Sequence, residues 1–524
     1  MSVTAPPAET AWIMTRVLGF EAMDEADLAA VLDTATTFAE GELAPLDRTG
    51  DRQGAHLRDG RVTVPEGFEA AFRAYAEGGW MGVSAATAHG GSGLPEAVAL
   101  AAFEPMSSAN MAFCLCPLLT QDAILLLERH GTADQQTRLL GPLVAGRWTG
   151  TMCLTESQAG SDLALMRTRA VPDGDGFRLS GQKIFITWGE HEMTENILHM
   201  VLARLPDAPE GTAGISLFAV PRILADGTHN AVRALSLEEK LGIHASPTCV
   251  MEFAGAHGEL VGEKHRGLAA MFAMMNAARL GVAMQGVAVA ERAFRRAADF
   301  AATRVQGGGP ILVHPDVRRM LLTMRALALG GRMLTLGAAL AEGARQALLI
   351  PVAKAWCSDA GVEAASLGMQ VHGGMGFIEE TGAAQHLRDA RITPIYEGTN
   401  GIHALTLLRR GLLRDQGAAV TALLVEIAAT PALAAAASAV DAAARFLRAA
   451  EPRVAEANAT GLLEALGTLV AGWHCARLLD TAGAPAPAAD AARAFLALVL
   501  PRVARAATMV REPPPALLAT GAIR

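Results

Sequence analysis

A mainly α-helical chain with a central β domain is the fold class this sequence predicts. Three observations lead there. Apolar residues recur at helical spacing before about residue 145, short apolar runs bounded by Gly, Pro and Asp fill residues 150 to about 260, and the helical period returns after Gly262. Hydrophobic residues make up 51% of 524 positions, ample for a core, and abundant alanine favours helix. The expected division is 1–145 (helical), 146–262 (β), 263–410 (helical) and 411–524 (a helical extension).

Asp24 opens a segment through Leu28, Val31, Leu32 and Phe38 with the spacing of an amphipathic helix, and Gly67 to Trp80 reads as another. The glycine-rich stretch Thr87–Gly93 lacks the strand and the Lys-Ser/Thr of a phosphate loop, so it reads as a turn. Strands are expected at Lys183–Thr187, Ile197–Leu202, Gly214–Val220 and Val250–Phe253. Alternation would put Lys183, Phe185 and Thr187 on one face. Beyond Gly262, Leu268, Met271, Met275, Ala278 and Val282 make an apolar helix face, with Asn276 and Arg279 on a neighbouring one. Arg304 would lie roughly 37 Å from Arg279 on a continuous helix, too far to serve the same small group. Gly307-Gly308-Gly309-Pro310 ends that helix, and His314-Pro315 starts the next. After residue 411 the chain is Ala-rich, with ten Arg, nine acidic residues and no Lys. Ala484-Pro485-Ala486-Pro487 separates the helices of what reads as a small bundle.

A net charge of −9 gives no drive toward nucleic acid or anionic membranes. No long uninterrupted apolar run suggests a membrane span, and MSVTAPPAETAW lacks the regions of a secretory signal. Cys114-Leu115-Cys116 is too tight for an ordinary disulfide and has no CxxC companion. The six cysteines therefore read as buried free thiols without metal, in a reduced, cytoplasmic setting.

Two stretches carry chemistry. In Met369–Leu405, Gln370-Val371-His372-Gly373-Gly374 lets backbone approach a ligand closely. Ile395-Tyr396-Glu397-Gly398-Thr399 sets a carboxylate among apolar neighbours, where desolvation would make it a general base; a loop salt bridge is the structural alternative. Met152–Asp162 offers hydroxyls and small residues together, as a loop contacting a polar planar ring and a phosphate needs; a polar hairpin is the alternative.

Together these phrases resemble the acyl-CoA dehydrogenases. The shared patterns are Q-x-x-G-G, R-D-A-R-I and I-Y-E-G-T near the base, T-E-x-x-x-G-S-D at Thr155–Asp162, and K-x-G-I-x-x-S at Lys240–Ser246. The resemblance covers about residues 20 to 410. Met152–Glu156, Met271-Phe272 with Met275-Asn276, His314–Met320 and Glu397–Ile402 are closest to the subgroup of 3-methylmercaptopropionyl-CoA and broad-range fatty-acyl-CoA dehydrogenases, which carries a C-terminal extension.

The resemblance implies an α-helical N-terminal domain, a β-barrel-like middle domain, an α-helical C-terminal domain and bound FAD. It makes Glu397 the base that removes the α-proton of an acyl-CoA. It places Met152, Leu154, Thr155, Gly160, Ser161, Phe185 and Thr187 at the flavin, with Ser161 also at the substrate mouth. Arg304, Gln306 and His314 would reach a neighbouring subunit's FAD, and Gln370, Gly373, Gly374 and Thr399 complete the cofactor set. Asn276, Arg279, Tyr396 and Gly398 join Ser161 in the substrate set. Many relatives have Trp at Phe185 and Phe at Gly307, so those contacts differ here. The alternative base position of some relatives is Ala278 here, which cannot accept a proton. A homodimer and an electron-transfer flavoprotein as electron acceptor follow from the same resemblance. Oxidase activity and a DNA-associated flavoprotein are the other readings, the second opposed by the extension's near-balanced charge. Straight-chain fatty acyl thioesters and 3-methylthiopropionyl-CoA are the substrates that the resemblance brings forward.

Overall fold

The computed structural model describes residues 2–513 and Leu517. It divides into two compact units: Met1–Glu40, Leu100–Ala109 and Arg279–Arg524 form one, Gly41–Ala99 and Asn110–Ala278 the other.

The second unit holds the β structure. Its sheet has seven strands: Trp148–Cys153, Arg169–Asp173, Gly176–Thr187, Asn196–Arg204, Ile215–Pro221, Val232–Leu237 and Thr248–Val261. Three of the four expected strands lie within these, and the fourth starts at Ile215, one residue after the expected Gly214. Asn196–Arg204 pairs with Ile215–Pro221 and, at Arg204, with Arg169 of the second strand. Ile215–Pro221 in turn pairs with Thr248–Val261, which pairs with Gly176–Thr187. The sheet therefore closes on itself and has a single interior, filled by Cys153, Leu179, Val201, Phe218, Cys249, Phe253 and their neighbours. Trp148–Cys153, Arg169–Asp173 and Val232–Leu237 escaped the sequence pattern because each is short and only partly apolar.

Two sequence expectations need correction here. The region before residue 145 is not wholly helical: His56–Arg58 and Arg61–Thr63 form a hairpin. Asp59 (φ 52°) and Gly60 (φ 77°) make its turn, and an Asp-Gly pair between short β-prone runs is the sequence signal for it. Second, Lys183 and Phe185 do not share a face. Lys183 is buried whereas Phe185 is 58% exposed. The register against Thr248–Val261 shifts between Lys183 and Ile186, and Phe185 takes φ 60°. A bulge inserts an extra residue, so the period of two fails across it.

In this unit Asp24's counterpart signals recur as Asn110, whose side chain accepts from Phe113 N to open Met111–His130, and as a capping box at Thr132 and Gln135. Met111–His130 and the long helix Gly267–Thr303 are apolar and long enough to cross a membrane by length and composition. Polar residues interrupt both, so neither is an unbroken apolar run. In Met111–His130 the apolar window is 83% buried within the fold, as in a core helix.

The first unit is helical apart from a ribbon of two short strands, Val305–Gln306 and Gly309–Pro310. Asp24 caps Glu25–Phe38 by accepting from Asp27 N. Arg279–Thr303, the remainder of the long helix, packs with Pro315–Leu340 and Gly343–His372. A Cβ on Gly286 would lie 2.2 Å from the Cys357 carbonyl oxygen, and one on Gly361 would lie 2.7 Å from that of Gly286. Glycine at both positions lets two backbones approach closely. Arg332, 1% exposed, donates to Glu104 Oε1 at 2.6 Å and to Glu291 Oε2 at 3.0 Å, giving the buried cation two carboxylates. The extension helices Pro452–Asp480 and Ala486–Ala494 pack on Pro315–Leu340 of the same chain. Trp356 donates to Thr468 Oγ1 at 3.0 Å, and Gly467 leaves room for its ring. All six cysteines are buried free thiols.

Candidate functional site

The first unit carries the candidate base. The helix Ala383–Ala390 ends in turns: Tyr396 N donates to Ile392 O at 3.1 Å and Asn400 N to Pro394 O at 3.1 Å. Glu397 (φ 54°) and Gly398 (φ 88°) both lie in the left-handed region. For a glutamate that conformation costs about 1–3 kcal/mol and persists only where surrounding bonds hold it. Several do. His403 Nε2 lies 3.0 Å from the Glu397 carbonyl oxygen. Lys354 Nζ donates to the Gly398 carbonyl at 2.7 Å and to Asn400 Oδ1 at 3.1 Å. Asn400 Nδ2 donates to Asp359 Oδ1 at 2.9 Å, Ser358 Oγ at 3.0 Å and Ala355 O at 3.1 Å. The Thr399 hydroxyl caps Asn400–Thr406 by accepting from Ile402 N at 3.3 Å, so its oxygen has a structural partner already.

Burial pushes the Glu397 carboxyl above its ordinary range, while the positive charges of Arg279 and Lys354 pull it back. A carboxyl raised in this way is a better proton acceptor than an exposed one. Arg279 is 9% exposed; burial lowers its pKa, and the charges acting on it are Glu397 and Arg410. The Tyr396 hydroxyl donates a short hydrogen bond to Gln285 Oε1, which fixes the ring beside the base.

At the end of Gly343–His372, Gly373 takes φ 60° and its N–H returns to Gln370 O at 3.0 Å. A Cβ on Gly373 or Gly374 would meet nothing within 4 Å, so the backbone there is open to a ligand. Beyond Thr303, a two-stranded ribbon turning at Gly307 and Gly308 brings Arg304, Gln306 and His314 together. Ile311 N donates to Arg304 O at 2.8 Å, and His314 Nε2 lies 3.1 Å from Gln306 O.

The second unit carries the other predicted loop. Ile184 N donates to Thr155 O at 2.9 Å, tying the loop to the strand that bears Phe185. The buried Glu156 carboxylate accepts from Arg167 N (2.7 Å), Thr168 N (3.0 Å), Thr168 Oγ1 (2.5 Å), Gln158 Nε2 (2.6 Å) and Lys183 Nζ (2.8 Å). Lys183 Nζ also donates to Leu154 O at 3.0 Å. Burial alone would raise the Glu156 pKa; the Lys183 charge and these hydrogen bonds outweigh it and hold it at about 2. The loop backbone is thereby fixed, with Gly160 and Ser161 exposed and Met152, Leu154, Thr155 and Thr187 half-buried near an open Phe185 ring. An uncovered aromatic, hydroxyls and unobstructed glycine form the donor and contact set that a flavin requires, so the residues present fit FAD.

Lys354, Asn400 and His403 received no role from the sequence. A signal existed for the first: it is one of four lysines and sits in the apolar helical run Val352-Ala353-Lys354-Ala355-Trp356.

Three family models match the chain: acyl-CoA dehydrogenase N-terminal domain at residues 25–147, middle domain at 151–256 and C-terminal domain at 265–412. A 3-methylmercaptopropionyl-CoA dehydrogenase of Ruegeria pomeroyi is 49% identical over 433 residues, 77% of this chain and 74% of that protein. The broad-specificity linear acyl-CoA dehydrogenase FadE5 of Mycobacterium tuberculosis is 34% identical, over 77% of this chain and 73% of its own. The structure of an acyl-CoA dehydrogenase complexed with FAD from Bacillus anthracis superimposes with a TM-score of 0.78 at 20% identity, covering 95% of this chain and 90% of its own.

Proposed function

The chain belongs to the acyl-CoA dehydrogenase family, FAD-dependent oxidoreductases acting on the CH–CH bond of acyl-CoA thioesters, and on that premise we propose that Glu397 is its catalytic base. The observation that carries this reading is a carboxylate on a left-handed turn whose carbonyls at 397 and 398 are held by His403 and Lys354, with burial raising its pKa. Glu397 accepts the α-proton of the thioester. The Glu397 backbone N–H is the donor toward the thioester carbonyl, an oxyanion-stabilising role. Bound FAD supplies the acceptor for the hydride leaving the β-carbon. Met152, Leu154, Thr155, Gly160, Ser161, Phe185 and Thr187 hold the flavin. Arg304, Gln306, His314, Gln370, Gly373, Gly374 and Thr399 form the rest of the cofactor set. Ser161, Asn276, Arg279, Tyr396 and Gly398 receive the acyl-CoA.

The substrate we favour is 3-methylthiopropionyl-CoA, on the 49% identity to the Ruegeria protein. Straight-chain fatty acyl-CoA is the second reading, supported by the 34% identity to the mycobacterial one. A homodimer, a cytoplasmic setting without a membrane span, an electron-transfer flavoprotein as acceptor and the four-part division 1–145, 146–262, 263–410 and 411–524 complete the proposal. Anaerobic flavin bleaching by a panel of acyl-CoAs tests it. Glu397→Gln should keep FAD and bind acyl-CoA yet lose reduction by more than the roughly 10²–10⁴-fold usual for a positioned base. Near-normal reduction in that variant would refute the assignment.

A further inference from the structure

We propose that Lys354 is the positioning residue of the Glu397 turn: its ammonium holds the Gly398 carbonyl and the Asn400 side chain, fixing the base's direction, and it brings a positive charge to the base. The inference rests on the reading of Glu397 as the base.

Lys354 is wholly buried, and its hydrogen-bond partners are neutral: the Gly398 carbonyl at 2.7 Å and Asn400 Oδ1 at 3.1 Å. A buried ammonium kept for stability alone would be expected to contact a carboxylate directly. Here the donors instead grip the peptide that follows Glu397. His403, from Asn400–Thr406, meets the preceding carbonyl. With the carbonyls of residues 397 and 398 both engaged by buried side chains, the turn has little freedom to swing its carboxylate. Displacing a reacting group by about 1 Å can cost about 10²-fold in rate.

The charged and titratable groups around Lys354 are Glu397, Asp359, Arg279 and His403. Burial pulls Lys354 down to about 7, against the raising influence of Glu397 and Asp359. Burial, reinforced by Lys354 and Arg279, takes His403 down to about 3, so it is neutral throughout the working range. Burial raises Asp359, and its hydrogen bond from Asn400 opposes that. Glu397 is the first charge acting on Lys354, and Lys354 is one of the two cations acting on Glu397, so the two titrations are linked.

The test is the pH dependence of single-turnover flavin reduction in the FAD-loaded protein, using whichever acyl-CoA of the panel bleaches the wild type. The wild-type rate should rise as Glu397 ionises and fall as Lys354 loses its proton near pH 7. Lys354→Met should lower the rate about 10²-fold, remove the alkaline fall and move the acid limb to higher pH, with FAD content and acyl-CoA affinity little changed. Lys354→Arg keeps the charge: the acid limb should stay in place while the alkaline fall disappears. A merely structural lysine would move none of these limbs. An unshifted acid limb in Lys354→Met overturns the proposal. If that variant does not fold, a wild-type profile lacking the alkaline fall overturns it equally. Glu397→Gln measured in parallel separates the two readings. If it retains reduction, both fall; if it is inactive and Lys354→Met behaves as wild type, only the lysine's role is lost.

Discussion

Replacing Lys183 by methionine should loosen the loop that carries Thr155 and Ser161, and the structure sets the size of the effect. The substitution removes the 2.8 Å contact to Glu156 Oε1 and the 3.0 Å contact to Leu154 O, and leaves a carboxylate that is 4% exposed. Removing one partner of a buried pair costs about 3–5 kcal/mol. Four other hydrogen-bond donations to Glu156 survive, from Arg167 N, Thr168 N, Thr168 Oγ1 and Gln158 Nε2, so the lower end, about 3 kcal/mol, is expected. The sign of the pH effect follows from the depressed carboxyl. Glu156's stabilising contribution is fully present above its ordinary 4.5 and is lost as pH falls toward about 2. Without Lys183, burial raises that carboxyl, so acid destabilisation should begin at higher pH. The assay is urea unfolding followed by flavin fluorescence across an acid pH series, with retained FAD measured after gel filtration. Lys183→Met should lose FAD more readily than wild type. The double variant Lys183→Met with Glu156→Gln removes both charges and should recover part of the loss. A cost under about 1 kcal/mol, within the range of an exposed pair, or a double variant no better than the single, would refute the reasoning.

Gly286→Ala would drive a methyl to 2.2 Å from the Cys357 carbonyl oxygen. At least the roughly 1–3 kcal/mol of overpacking is expected, with slower flavin reduction because the helices bearing Arg279 and Lys354 must separate; thermal unfolding and single-turnover kinetics check both. Trp356→Ala empties the contact with Gly467 and Thr468 and should cost about 3–5 kcal/mol, read from the urea midpoint. An unchanged midpoint would show that the extension does not depend on that ring.

Much of the site was legible because its residues are close in sequence. Gln370 to Thr399 hold the open glycines and the base within a single stretch, and Thr155 to Asp162 make one loop. Paired glycines and flanking aromatics signal themselves by residue type. The partners that hold Glu397 in place were not legible in the same way. Lys354 lies 44 residues from Gly398, and only the packing of Gly343–His372 against the turn brings its ammonium to that carbonyl. Glu156 and Lys183 lie 27 residues apart: each was visible, but the ion pair forms only when the barrel closes.

Periodicity, turn residues and helix caps determined from sequence alone that helices flank a β region, that Asp24 starts a helix, that the long helix stops near Arg304 and that Ala484–Pro487 divides the extension. Those are local preferences, written in neighbouring residues. Tertiary structure decided that the strands close into a barrel, that a bulge turns Phe185 outward while Lys183 goes in, that the extension packs on its own chain, and which charges surround Glu397. Each of these depends on contacts between distant segments, and burial there changes the cost of a charge, which no local pattern records.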